Sequence, residues 1–548
     1  MKKNTLYLTT PIYYVNDYPH VGHAYTTIAT DILARWERLN GKNVFFLTGT
    51  DEHGAKICEA AQKNNQQPQT FCDGIVEGFR LAWKNLSIDN SDFIRTTDQR
   101  HETAVQKFLS VLYEKGFIYN SLYKGQYCVG CEKFISESDL DETGCCPDHK
   151  MKPAHHEEEN YFFKLSAFQN QLIDILSNEN HPQHIVVLPR ERRNEILGKL
   201  KIGLEDISIS RAALPWGIAL PFDKKQTVYV WVDALINYIS AIGYGSTTIG
   251  DKSDKKAQTL NFNTWWPADL HLMAKDILWF HSVIWPAMLL AAGLALPKKI
   301  FAHGFFTVDG NKMSKTIGNV IRPDQLIEKF GVDATRYLTV SLFPFGSDGD
   351  ISWQALTDKY NVELANNFGN LISRTLSMTQ KYFEGTVPAG ELVAPPGAAD
   401  ASLHATEHIP DLIVRVQKIL ADIAESLDGL GFHKVTERIQ CAITLVNQQI
   451  EQDAPWKMAK ESNQRLGSVM NSYLQASALI TIYLVPFMPA VCQKVWEALG
   501  MTEPVATAAQ HHFTSPETAG TLVRTGAVIT NPGILFPRIQ EKVNPVKK

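Results

Sequence analysis

Cysteine is scarce in this chain: there are eight in 548 residues, and Cys128, Cys131, Cys145 and Cys146 crowd into one short stretch. That is too few for a disulfide scaffold, and the clustering suggests a metal held in a reducing compartment. No apolar run of signal-peptide length precedes Asn16, so secretion is not expected and a cytoplasmic location is. Excess charge of either sign is also missing: 53 basic against 58 acidic residues give a net charge of -5. A nucleic-acid partner would therefore have to be met by a local basic face. Long hydrophobic runs are rare. The longest, "LWFHSVIWPAMLLAAGLAL" at 278–296, contains His281, Ser282 and Pro286 and reads as a buried helix of a large enzyme, so no membrane partner is expected. Tandem repeats are absent, and the one biased tract is the Pro- and Gly-rich "PAGELVAPPGAAD" at 388–400.

What is present is the composition of a folded protein, 44% hydrophobic and 20% charged, at a length that predicts about two to four domains. "NTLYLTTPIYYV" reads as a strand, "HAYTTIATDILARWERLNG" as a helix with apolar residues at Ala29, Ile32, Leu33 and Trp36, and "KNVFFLTGTDEHG" as a second strand. Strand, helix, strand predicts an α/β fold with a Rossmann-type parallel sheet and a ligand site at the strand carboxyl ends. The pattern breaks near 116 and resumes with "TVYVWVDALINYIS" from 227 and "KIFAHGFFTV" from 299. From about 359 long amphipathic helices take over. The expected division is a first catalytic half at 1–115, a connective insert at 116–226, a second catalytic half at 227–358 and an α-helical domain at 359–548.

Two short motifs carry the chemistry. "PHVGH" at 19–23 falls at a strand-to-helix turn, where backbone N–H groups and the helix dipole favour an anion. His20 and His23 would add hydrogen bonds to a phosphate whose charge grows during reaction, and Gly22 lets a flat base or a backbone approach. Far along the chain, "VDGNKMSKTIGNVI" places Lys312 and Lys315 around Met313 and Ser314 between Gly310 and Gly318, a basic loop suited to a triphosphate tail. Either motif alone would pass for an ordinary turn.

Together they resemble the HIGH and KMSKS signatures of class I aminoacyl-tRNA synthetases, with Val21 for Ile and Thr316 for the final Ser. The resemblance to the methionyl-tRNA synthetase family runs from residue 5 to about 538, through "TTPIYYVNDYPHVGHAYTTIATDILAR", "FLTGTDEHG", "YVWVDALINYIS", "AKDILWFHSVIWPAMLLA", "HGFFTVDGNKMSKTIGN", "DAPW" and "GILFPRI". It implies that a methionine carboxylate attacks the α-phosphorus of ATP, pyrophosphate leaves, and the acyl group passes to the terminal adenosine of tRNA(Met), initiator tRNA included. ATP would arrive as its Mg²⁺ complex. By resemblance, His20 and His23 stabilise the α-phosphate, Lys312 and Lys315 hold the β- and γ-phosphates, and Gly22, Met313 and Ser314 complete the ATP contacts. The methionine site implied comprises the backbone around Ile12, then Tyr14, Trp231, Leu235, Tyr238 and His281, with Asp51 on the α-amino group and Arg211 and Asp276 in support. A soft thioether suits an aromatic cage and an ammonium needs a carboxylate. Homocysteine should leak into such a pocket, since one methylene is worth about 1–3 kcal/mol. The resemblance implies its disposal as a thiolactone.

Cys128 and Cys131 form a CxxC arm, and Cys146 and His149 a CxxH arm, the spacing of one structural, four-ligand zinc site in the insert; Cys145 is an alternative third ligand. In the helical domain Glu363, Asn367, Asn370 and Arg374 fall on one polar face, which ordinarily is only solvated. The resemblance implies that Asn370 and Arg374 read the anticodon and that an anticodon base stacks on Trp456. Two other readings compete. A synthetase for Leu, Ile or Val would carry an editing domain larger than 116–226, and a silent RNA-binding relative need not keep His20, His23, Lys312 and Lys315. The sequence closes on "NPGILFPRIQEKVNPVKK", as expected of a short monomeric form or of a shortened chain.

Overall fold

A computed structural model describes residues 4–128, 133–135, 140–147, 150–212, 214–246, 261–308, 310–313, 319–390, 408–515 and 522–540. Contacts divide the chain into two compact units. The first comprises residues 1–19, 44–83 and 89–303, the second residues 20–43, 84–88 and 304–548.

The first unit is built on a six-stranded sheet in the order Asp92–Arg95, Asn43–Asp51, Thr5–Tyr14, Leu270–Ala274, Lys299–His303, Val186–Leu188. The recorded registers are parallel, Leu8 opposite Leu270 and His271 opposite Ile300 among them. Strands buried on both faces need apolar or hydroxyl side chains at nearly every position. "NVFFLTGTD" is accordingly buried from Val44 to Asp51. The strand order reverses on either side of Thr5–Tyr14, which makes the carboxyl ends of this strand and its neighbours the place for a ligand. The edge strand comes from residues 186–188, inside the stretch expected to be a separate insert. Three residues are too short a run to show an alternation in sequence. The segment at 227 does not resume this sheet: Thr227–Val228 pairs antiparallel with Ser210–Arg211. The insert also holds a four-stranded antiparallel sheet of 133–135, 118–128, 154–163 and 207–208 and the helices Gln169–Ser177 and Arg190–Ile202.

The apolar run at 278–296 is a buried π-turn at Phe280–Ile284 followed by the helix Trp285–Ala292, with Trp285, Ala287 and Leu289 fully enclosed. No described helix is long and apolar enough to cross a membrane.

The second unit contains the helix Val21–Leu39, a three-stranded sheet of 311–312, 306–308 and 349–351, and a helical bundle. The bundle's longest members are Asn370–Phe383, Phe432–Asp453 and Leu466–Leu484. Leu364, Phe368, Leu371 and Ile372 supply an apolar stripe, as the periodicity requires. The stretch Tyr360–Gly369 is wound as a π-helix, which alters the angular step between its polar residues.

Candidate active site

In the first unit, three residues of the expected pocket stand at strand carboxyl ends and four on helices. Ile12 and Tyr14 close the first strand, partly buried, and Asp51 closes the second at 7% exposure. The helix Val230–Leu235 carries Trp231 and Leu235 four residues apart, hence on one face. Trp231 stacks on Phe280 with ring centroids 4.0 Å apart and planes 12° from parallel. Leu235 and Tyr238 are buried.

His281 is held in one tautomer. Its Nδ1 lies 2.9 Å from the Ile277 carbonyl, which only accepts, so Nδ1 carries the proton. Its Nε2 then accepts from the Tyr238 hydroxyl at 2.7 Å. Burial holds the His281 imidazole down at about 4, so the ring is neutral near pH 7. The result is a set of aromatic faces with no net charge, and with the carboxylate of Asp51 it has the chemistry for a zwitterionic amino acid with an apolar side chain.

Arg211 lies over the Tyr229 ring, its guanidinium carbon 4.4 Å from the ring centre, and Nη1 donates to Ser208 Oγ and the Ser210 carbonyl. Asp276 is exposed, in the 3₁₀ turn Lys275–Ile277 that precedes His281.

Sequence reasoning missed several residues here. Phe280 stacks on Trp231. His271, fully buried on the strand beside Thr5–Tyr14, meets Thr9 Oγ1 at 2.7 Å through Nδ1. Behind the pocket, Asp233 holds both His53 and His101. His53 and Asp233 both lie in landmark motifs, but nothing in a linear sequence pairs positions 53, 101 and 233.

In the second unit, His20 is the N-cap of the helix Val21–Leu39, with extended backbone. Its Nδ1 accepts from the Gly22 N–H at 3.0 Å, while its own N–H donates to His23 Nδ1 at 3.3 Å. The rings stack 3.8 Å apart. With both Nδ1 atoms accepting from backbone, each neutral imidazole keeps its proton on Nε2. Burial first, and the His20 ring second, lower the His23 pKa well below the ordinary histidine value. Two imidazole N–H donors at a helix N-terminus suit an anion that gains charge during a reaction. The structure adds a second reason for Gly22: an added Cβ would stand 2.9 Å from His20 Cε1. Val21 N–H donates to the Ile321 carbonyl at 2.9 Å, tying this turn to the chain following the lysine motif. Met313 reaches within 3.9 Å of the same Cβ position. Lys312 lies on the short strand Asn311–Lys312, its side chain outside the description, and Ser314 and Lys315 lie outside the described residues.

The polar helix face also needs correction. Glu363 accepts from Tyr337 and Lys359, and Asn367 donates to Gln440 Oε1 and Thr444, so these two serve packing rather than solvent. Asn370 remains exposed. Arg374 donates to Glu451 at 2.6 Å. That contact brings it to the end of the helix preceding Trp456, which is partly exposed in the short helix Pro455–Lys460.

In the insert, Cys128 and Cys146 are buried together with Leu140 packed on them, although Glu142, Thr143, Pro147 and Lys150 around them are exposed. Cys145 is half-buried, and Cys131 and His149 lie outside the described residues.

Comparison with known proteins now gives these features a context. The family described as tRNA synthetases class I (M) matches residues 6–155 and 139–376, and the anticodon binding domain of methionyl tRNA ligase matches 399–545. A methionine–tRNA ligase of Caldanaerobacter subterraneus is 43% identical over 98% of this chain and 79% of its own length. That of Streptomyces coelicolor is 42% identical over 98% and 97%. Among solved structures, the Mycobacterium tuberculosis methionyl-tRNA synthetase in complex with methionyl-adenylate superposes with a TM-score of 0.86 at 34% identity, covering 97% of this chain and 100% of that one.

Proposed function

The chain belongs to the methionyl-tRNA ligases, class I aminoacyl-tRNA synthetases that activate methionine with ATP and charge tRNA, and from that premise we propose which of its residues carry the reaction. A methionine carboxylate oxygen attacks the α-phosphorus of ATP, and the bond to pyrophosphate breaks. A terminal ribose hydroxyl of tRNA then attacks the acyl carbon, and AMP leaves. Neither step needs a covalent nucleophile from the protein; both need positioning and charge stabilisation.

Asp51 takes the methionine ammonium, and Ile12 supplies backbone contact. Tyr14, Trp231, Leu235, Tyr238 and the neutral His281 enclose the thioether, with Arg211 and Asp276 in support. His20 and His23 direct their Nε2–H groups at the α-phosphate. Lys312 and Lys315 neutralise the β- and γ-phosphates of the magnesium complex of ATP, and Gly22, Met313 and Ser314 line the same nucleotide. The observation that carries the activation step is the His20–His23 stack, in which backbone bonds to both Nδ1 atoms fix the donor nitrogens. Each donor that strengthens only in the transition state contributes about 2.7–4 kcal/mol. His20→Ala should therefore slow methionine-dependent pyrophosphate exchange by about 100-fold or more while methionine still binds, and an unimpaired variant removes these rings from the mechanism.

The insert suits a structural zinc ion. Two soft thiols buried together would supply half of a tetrahedral ligand set, with Cys131 and His149 as the other two ligands. Bound there, zinc would order the insert and take no part in the chemistry. In the bundle, Asn370 and Arg374 would read anticodon base edges and Trp456 would stack on a base.

A further inference from the structure

The Val230–Leu235 helix has two working faces. Trp231 and Leu235, four residues apart, point to one side; Asp233, about 200° around from each, points to the other. There its carboxylate is fully buried and both oxygens are engaged. Oδ2 lies 2.6 Å from His53 Nδ1 and Oδ1 lies 2.7 Å from His101 Nε2, while His101 Nδ1 lies 2.8 Å from Ser240 Oγ. His53 is 4% exposed and His101 not at all.

His53 follows Asp51 by two residues, in the turn that leaves the second strand. That turn is clamped from outside as well: Trp216 Nε1 donates to the Glu52 carbonyl at 2.5 Å, the Gly54 N–H donates to the Trp216 carbonyl, and the Trp216 ring lies edge-on to His53 at 5.5 Å. One carboxylate thus ties the segment bearing Asp51 to the helix bearing Trp231 and Leu235, with His101 fixing it to a third element, the helix Gln99–Glu114. A carboxylate bound through both oxygens cannot rotate, so the spacing between segment and helix is set. Burial by itself would raise the Asp233 pKa, but the two imidazoles hold it at about 2, so the carboxylate stays ionised and keeps accepting from both rings.

We propose that His53, Asp233 and His101 are positioning residues that set the distance between the ammonium site and the side-chain wall, and so select amino acids by length. This rests on the reading that Asp51, Trp231 and Leu235 contact methionine. None of the three touches the reacting atoms.

The test compares pyrophosphate exchange by the full-length protein with methionine, with ethionine (one methylene longer) and with norvaline (shorter). A tight apolar pocket separates ligands one methylene apart by about 10–200-fold. His53→Ala should raise the KM for methionine about tenfold, leave the KM for ATP within about twofold, and shrink the preference over ethionine and norvaline by about tenfold. His53→Asn, which returns an N–H near the Nδ1 position, should restore most of that preference. A folded His53→Ala protein with lowered melting temperature but unchanged preference would make the network structural only and overturn the proposal. Failure of His53→Asn to restore preference would overturn it too, by assigning His53 a direct ligand contact. Should His53→Ala not fold, the near-isosteric Asp233→Asn is judged by the same preference ratio. Trp231→Ala and Asp51→Asn serve as controls: if neither changes the KM for methionine, the pocket reading itself is wrong, an outcome distinct from failure of the tie.

Discussion

Arg336 and Asp31 meet at 2.7 Å with neither side chain exposed to solvent. The guanidinium also donates to the carbonyls of Phe487, Leu86 and Pro486, so one side chain fastens the helix that begins at His20 to the turn after Leu484 in the bundle. Asp31 keeps a second partner in Arg35, also at 2.7 Å. Removing Arg336 strands three buried carbonyls and weakens the compensation of a buried charge. Arg336→Met should therefore destabilise the protein by about 3–5 kcal/mol, and Arg336→Lys should recover only part, because an ammonium cannot serve four acceptors spread around a planar fork. Denaturant unfolding checks this; a Met variant of parental stability would show that the contact is not formed in solution.

Stability should fall as the medium is acidified from pH 6.5 towards 4. Burial lowers the pKa of His281 to about 4 and those of His271 and His23 well below the ordinary value. In the unfolded chain each titrates near 6.5, so within this window the unfolded state binds protons that the native state does not. For His281 alone the loss reaches about 3 kcal/mol at the lower end. His53 works in the opposite sense: burial opposes its charge, but Asp233 outweighs burial and raises its pKa, so its contribution is full below 6.5 and fades above. Melting temperatures at pH 7.5 and 5 check the sign. His281→Gln, which cannot titrate, should flatten the dependence, and an unaltered slope would mean that the ring is not buried neutral.

Much of this architecture was legible in the sequence. The strand at 5–14 and the helix from 21 follow from alternation and periodicity, and the strand at 43–51 from a short apolar run that is buried on both faces. The three-residue edge strand at 186–188 and the π-wound stretch at 360–369 were not, since the first is too short to repeat and the second departs from the α period on which the reading relies. The candidate site divides in the same way. His20, Asp51 and Trp231 stand in contiguous motifs, whereas Phe280, His271 and the His53–Asp233–His101 network depend on pairings between distant positions.

Trp456→Ala should weaken tRNA charging far more than amino-acid activation. Loss of one stacked base is worth about 1–3 kcal/mol, or roughly 5–150-fold in kcat/KM for tRNA. Arg374→Ala should act in the same direction, although its 2.6 Å contact with Glu451 means that part of the loss will appear as bundle stability. Parallel aminoacylation and pyrophosphate-exchange assays separate the two; equal losses in both would count against the anticodon role.

Zinc content gives an independent check on the insert. Purified protein should hold one equivalent of zinc, Cys128→Ala and Cys146→Ala should lose it, and Cys145→Ala should retain it. Retention by Cys146→Ala with loss by Cys145→Ala would exchange the third ligand, and zinc-free parental protein with full activity would refute the site.

Pyrophosphate exchange into ATP, tested with each of the twenty amino acids in turn, bears most directly on the pocket and the paired histidines together. Exchange dependent on methionine alone, lost by about 100-fold or more in His20→Ala, is the predicted result. Exchange supported equally by another amino acid, or undiminished without the His20 ring, would contradict the account.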